Sequence, residues 1–219
     1  MIPIGDAERR PLRFPIVTAL VIALNVIVFV MELMGGDAFI NRWSLVPADI
    51  VAGRGYVTLL TSMFMHEGIV HIVGNMLFFW VFGPEIEDVM SPTRYLSFYL
   101  LGGLAATLAQ VAIDPFSDIP NLGASGAIAA VMGVFLVTFP RDKIKTVVIL
   151  GWFATVTMLP AIALVGVWFL LQVLSEIGSF AQQGGGVAYM AHIGGFIFGA
   201  AFGRFFESQS RLVQQEYAS

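Results

Sequence analysis

The stretch from Phe14 to Met34 is almost uninterrupted hydrocarbon, and similar apolar runs recur along the whole chain. A run of this length matches the ~20 residues a helix needs to cross a bilayer core. It is also too long for the apolar centre of a signal peptide. Composition agrees. Of 219 residues, 58% are hydrophobic and only 12% charged, and mean hydropathy is +0.84. Soluble domains of this size carry far more charge. The chain therefore reads as an all-α polytopic membrane protein whose surroundings are the lipid bilayer. No cysteine is present, which removes disulfide and thiol chemistry.

Six spans are expected. They lie at about Pro15–Met34, Leu59–Phe82, Tyr95–Ile113, Gly123–Phe139, Leu159–Gly178 and Val187–Phe206. Turn-rich "DPFSDIPN" at 114–121 separates the third from the fourth, and Pro140 stops the fourth. Residues from Thr146 to the fifth span are too few to cross and are expected to lie at the interface. "QQGGG" at 182–186 precedes the sixth span. Residues 15–206 thus form a six-span domain, with 1–14 and 207–219 as terminal segments. Lys and Arg set the orientation. Arg9, Arg10, Arg13, Arg94, Arg141, Lys143, Lys145, Arg204 and Arg211 fall on one side, and only Arg42 and Arg54 on the other. Nine against two places both termini in the cytoplasm. A bare six-span core suggests a bacterial inner membrane.

The segment "MFMHEGIVHIVGNMLF" at 63–78 comes close to a His-Glu-x-x-His zinc helix. His66 and His71, however, stand five apart rather than four. On an unbroken helix their side chains diverge by about 140° and cannot share an ion. No metal or other cofactor is expected. His71 and Asn75, four apart, do share a face.

Polar groups inside apolar spans are costly and often functional. Besides His71 and Asn75, the candidates are Ser125 and His192. Counted up from Phe139 and Arg204, Ser125 and His192 lie roughly 21 and 18 Å above the basic boundary. In a core about 30 Å thick, both reach one level near the outer surface. Each feature has a plainer reading. "GASG" at 123–126 and Gly195 with Gly199 suit close helix packing. The histidines and Asn75 suit interhelical hydrogen bonds. Together, however, they supply a nucleophile, a base and two donors.

"HEGIVHIVGNMLFFWVFGPEIE", "GASGAIAAVMG", "WFLLQ" and "AHIGGFIFGAAFG" resemble the rhomboid intramembrane serine proteases, in the family's motif order over nearly the whole chain. The resemblance implies a six-helix bundle that cleaves transmembrane protein substrates, with no nucleic-acid partner. It implies Ser125 as nucleophile and His192 as base. His71, Asn75 and the Ser125 N–H would bind the oxyanion. Gly123 and Gly126 would shape the nucleophile's turn, Gly195 and Gly199 would seat the sixth span on the fourth, and Glu87 would be structural. Two positions depart from the pattern. Arg42-Trp43 stands where the family often has Trp-Arg. Ala129 replaces an aromatic residue that some members pack on the histidine. An inactive, client-binding relative of these proteases is the alternative.

Overall fold

The computed structural model describes residues 1–179 and 188–218. The elements are β1 (Ile2–Asp6), α1 (Ile16–Trp43), α2 (Pro47–Val51), α3 (Thr58–Thr61), α4 (Ile69–Met90), α5 (Pro92–Ile113), α6 (Ser125–Thr138), β2 (Lys143–Leu150), β3 (Phe153–Pro160), α7 (Ala161–Ser179), α8 (Tyr189–Phe202) and α9 (Gln209–Ala218). Helices α1, α4 and α5 are long and apolar enough to cross a membrane, while α6 and residues 161–175 of α7 are apolar but shorter. The "QQGGG" connection and the start expected for the last span lie outside the described residues.

Local sequence explains the boundaries. Gly36, at φ 56° and ψ −151°, breaks α1 just past Met34. In that quadrant of backbone space a Cβ would clash. Proline opens α2 and α5, where its fixed φ suits a first turn and its missing N–H is not needed. The segment 59–68 is not the start of the second span. It forms the short α3 and a 3-10 turn, then runs extended through Met65 and Gly68 before α4 begins.

The all-α expectation fails at one place. β1, β2 and β3 form a three-stranded antiparallel sheet. "KIKTVVIL" and "FATVTMLP" are rich in β-branched residues, which suit a pleated surface better than a helix. Leu150 pairs with Phe153 across a two-residue turn in which Gly151 has φ 60°. Such hairpin turns need a positive φ, and glycine supplies it. The N-terminal segment is therefore not a free tail, since it supplies the third strand.

Two buried carboxylates at the far end of α4 gather both termini. Glu87 accepts the Val17 and Thr18 N–H groups and the Thr18 hydroxyl, all at 2.8 Å. These N–H groups open α1 and have no partner within that helix, so Glu87 acts as its cap from another element. Asp88 accepts the Leu12 N–H at 3.1 Å, Arg13 at 3.1 Å and Gln215 at 2.6 Å. The N-terminal segment and α9 thus meet on one end of the molecule.

Helix α8 packs in the cleft between α5 and α6 because the facing residues are small. A Cβ added at Gly199 would collide with the Ala130 carbonyl oxygen, and one at Gly195 with that of Gly126. A Cβ at Gly126 would sit 2.6 Å from Ala106 Cβ on α5. By contrast, Gly166 on α7 has nothing within 4 Å. Gly195→Ala and Gly199→Ala should each destabilise the fold by ~1–3 kcal/mol, the usual cost of overpacking. Gly166→Ala should be neutral to within ~0.5 kcal/mol. Thermal midpoints of the three variants in detergent check this. Equal midpoints would show that the α6–α8 seam can relax.

Candidate active site

Ser125 is the first residue of α6, and His192 lies in the first turn of α8. The glycine seam below them holds the two helix starts together. The His192 Nε2 to Ser125 Oγ distance is 2.7 Å. Ser125 is half-buried, whereas His192 is only 8% exposed. On its other side, His192 Nδ1 lies 2.7 Å from Gln172 Oε1 on α7. Tyr189 approaches the imidazole edge-on and Trp168 lies beside it, with ring centroids at 6.4 and 5.8 Å.

The third wall comes from α4. Gly123 has φ 138°, and a Cβ there would stand 3.2 Å from His71 Nε2 and 3.4 Å from Ser125 Oγ. The missing side chain leaves a gap flanked by both groups. The Glu67 N–H donates to His71 Nδ1 at 3.3 Å. A neutral His71 must then carry its proton on Nε2, the nitrogen that faces the gap. One turn on, Asn75 is buried and its Nδ2 has no hydrogen-bond partner among the described residues. Buried donors are seldom left empty, and those that are call for an explanation. The first N–H groups of α6 also lack intrahelical partners and bring the positive end of the helix dipole.

Above Ser125, α6 is only 14 residues long, so it leaves a space that the loops partly roof. A small open cleft runs past Ser125, Gly123 and Gly126, with Thr107, Gln110 and Asn121 on its walls. Asn121 exchanges backbone hydrogen bonds with Leu45 at 2.7 and 3.0 Å, which ties the 114–122 loop to the loop after α1.

Residues 53–209 match the Rhomboid domain family. The chain belongs to the rhomboid family. Rhomboid protein 1, mitochondrial, of Saccharomyces cerevisiae is 28% identical over 189 residues, covering 83% of this chain and 51% of the relative. Rhomboid protease GluP of Bacillus subtilis is 33% identical over 128 residues, covering 56% and 24%. RHOMBOID-like protein 12, mitochondrial, of Arabidopsis thaliana is 31% identical over 198 residues, covering 82% and 55%. The chain therefore spans about half the length, or less, of these curated relatives.

Against the expectations for a rhomboid, the structure brings Ser125, His192, His71 and Gly123 together, with Asn75 one turn behind. Gly126, Gly195 and Gly199 lie at the helix seam. Glu87 lies at the opposite end of α4. His66 and His71 are not held apart as an unbroken helix would hold them. The helix begins only at Ile69, and the two rings touch edge-on with centroids 5.1 Å apart. The unbroken helix expected over 66–71 is interrupted at Gly68, which precedes the first turn of α4. Ala129 is fully buried, and the space beside the imidazole is taken by Trp168 and Gln172 from α7. Arg42 stacks over its neighbour, with its guanidinium 5.1 Å from the Trp43 ring. The Trp43 carbonyl accepts the Thr61 hydroxyl at 2.8 Å. Gln172 was visible in the sequence only as the last letter of "WFLLQ". Its place as the single polar side chain in the apolar run 161–174 was the signal that could have singled it out.

Proposed function

We propose that this chain is an intramembrane serine endopeptidase. It cleaves transmembrane proteins near the outer membrane interface through an acyl-enzyme. The observation that carries this reading is the 2.7 Å contact between Ser125 Oγ and His192 Nε2 in a rhomboid domain. A hydroxyl is a weak nucleophile until a base takes its proton. On this reading His192 Nε2 accepts that proton as Oγ bonds to the scissile carbonyl carbon. The same proton then goes to the leaving amine as the C–N bond breaks. Water, deprotonated by His192, releases the acyl group and restores Ser125.

Negative charge on the carbonyl oxygen needs preorganised donors. The empty Asn75 Nδ2, the His71 Nε2–H and the Ser125 N–H supply them, and the open gap at Gly123 leaves room for the oxygen. The substrate would bring a segment that unwinds readily, since an intact helix keeps its peptide groups bonded to one another. Small or helix-breaking residues near the outer interface fit that need.

The same reading holds six spans within residues 15–206, with both termini cytoplasmic and a bacterial inner membrane as the location. The nine-to-two distribution of basic residues supports the orientation, as does the meeting of 1–14 and 207–219 at Asp88. The Bacillus relative supports a bacterial membrane, while the mitochondrial relatives weigh against it.

A fluorophosphonate probe should label the purified protein, and Ser125→Ala should abolish labelling. Labelling that persists in this variant removes the assignment. No labelling of a folded parent favours a client-binding rhomboid without catalysis. Asn75→Ala should lower kcat by about 10²-fold, the effect of losing one principal oxyanion donor. A folded variant with full activity would exclude Asn75 from that role. Among the described residues, neither hydrogen-bond partner of His192 is a carboxylate. Glu67→Gln, Asp114→Asn and Asp118→Asn should therefore each keep kcat within about tenfold of the parent, far from the ~10⁴-fold loss that follows neutralising a triad aspartate. A loss of the larger size at any of them would expose a carboxylate partner.

A further inference from the structure

We propose that Gln172 is a positioning residue for His192, a neutral amide in the place where a soluble serine protease carries a carboxylate. The inference rests on the protease reading above. It starts from the pair of hydrogen bonds on the imidazole. Nε2 meets Ser125 Oγ and Nδ1 meets Gln172 Oε1, each at 2.7 Å. A neutral imidazole has one N–H and one lone pair. An amide oxygen only accepts, so Nδ1 must hold the proton. The lone pair then sits on Nε2 and faces the Ser125 hydroxyl, as general-base catalysis requires. The opposite tautomer would set a lone pair against a lone pair at Nδ1 and an N–H against the nucleophile.

The amide's own orientation is not arbitrary. Gln172 Nε2 donates to the Trp168 carbonyl one turn back, at 3.4 Å. Turning the amide over would lose that bond and set an N–H against Nδ1. Trp168 also lies beside the imidazole, so one turn of α7 supplies both a hydrogen bond and a wall. This turn stands beside the imidazole, while position 129 on α6 is an alanine. The α7 turn explains how the ring keeps its angle without an aromatic residue at position 129.

An amide suits this depth. An ionised carboxylate beside His192 would need desolvation within the bundle, at a cost that a neutral group avoids. During attack Nδ1 keeps its proton and the imidazolium forms by gaining the Ser125 proton on Nε2. The amide dipole stabilises this cation less than a full negative charge would. Of the titratable groups among the described residues, His71 from α4 and Tyr189 from α8 lie around the ring. Helix α6 and the contacting turn of α7 offer Ser125, Trp168 and Gln172, which do not titrate.

The test compares Q172L, Q172M and Q172E with the parent on a model transmembrane substrate in detergent. Q172L and Q172M remove the acceptor while keeping bulk. Each should lose kcat by about 10- to 100-fold, the scale of a misplaced reacting group, with KM and thermal midpoint unchanged. The acid limb of kcat/KM should move to lower pH, because the imidazolium has lost an acceptor. Q172E keeps an acceptor oxygen. It should hold kcat within about tenfold and move the acid limb to higher pH. Parent-like kcat in Q172L and Q172M overturns the proposal. So does an equal loss in all three variants with the acid limb unmoved, which marks a purely structural residue. Fluorophosphonate labelling of the parent separates this from the protease reading. A labelled parent with an indifferent Gln172 removes only the positioning role, while an unlabelled parent removes both.

Discussion

The approach of α8 to α6 is the contact on which the site depends. Two helix starts can hold a serine and a histidine 2.7 Å apart only if the helices nearly touch below them. At Gly195 and Gly199 the backbone of α8 lies directly on the α6 carbonyl oxygens of Gly126 and Ala130. In a membrane such a seam cannot rely on expelling water, because lipid is as apolar as the side chains. Close van der Waals contact between small residues takes over that role. The same residues that look like mere packing therefore set the distance between Ser125 and His192. The plainer reading of "GASG" and "AHIGGFIFG" and the functional one describe a single feature.

The opposite end of the molecule solves a different problem. Helix α1 begins inside the protein, with N–H groups that would otherwise be buried and empty. Glu87 reaches them from α4 with both carboxylate oxygens. Next to it, Asp88 collects the chain before α1 and the last helix. A charge buried in this way is tolerable because each oxygen has a hydrogen-bonded partner. The acidic pair is remote from Ser125, and its role is to hold the frame in which α4 presents His71 and Asn75.

Much of this was legible in the sequence, and the failures share a cause. Hydropathy located the apolar runs, because the demand for backbone satisfaction in lipid leaves few alternatives to helices. Depth counted from the basic residues brought Ser125 and His192 to one level, and the structure places them in contact. Hydropathy does not, however, tell a helix from a strand in a short apolar run. The β2–β3 hairpin was missed on that account, although Thr146-Val147-Val148-Ile149 and Gly151 carried the strand and turn signals. The contact of His66 with His71 was missed because a helix was drawn through Gly68. Gln172 was missed because nothing in the spacing of α7 relates it to α8, and only the tertiary fold brings the two together.

On the proposed reading, the position of Gln172 also bears on how a hydrolytic site can exist within an apolar bundle. A soluble serine protease stabilises its imidazolium with a buried aspartate, whose charge is tolerated in a polar network. Here Trp168 and Tyr189 flank the ring, and no charged side chain among the described residues hydrogen-bonds to it. On the proposed reading the donors stand where charge develops, at the gap by Gly123, and that charge is transient and needs no permanent counterion. A fixed carboxylate would have to be stabilised throughout the cycle, including while the site is empty. Neutral donors and acceptors on three helices avoid that standing cost. What they give up is the full compensation of the imidazolium, and on the proposed reading this would make proton transfer to His192 the energetically exposed step.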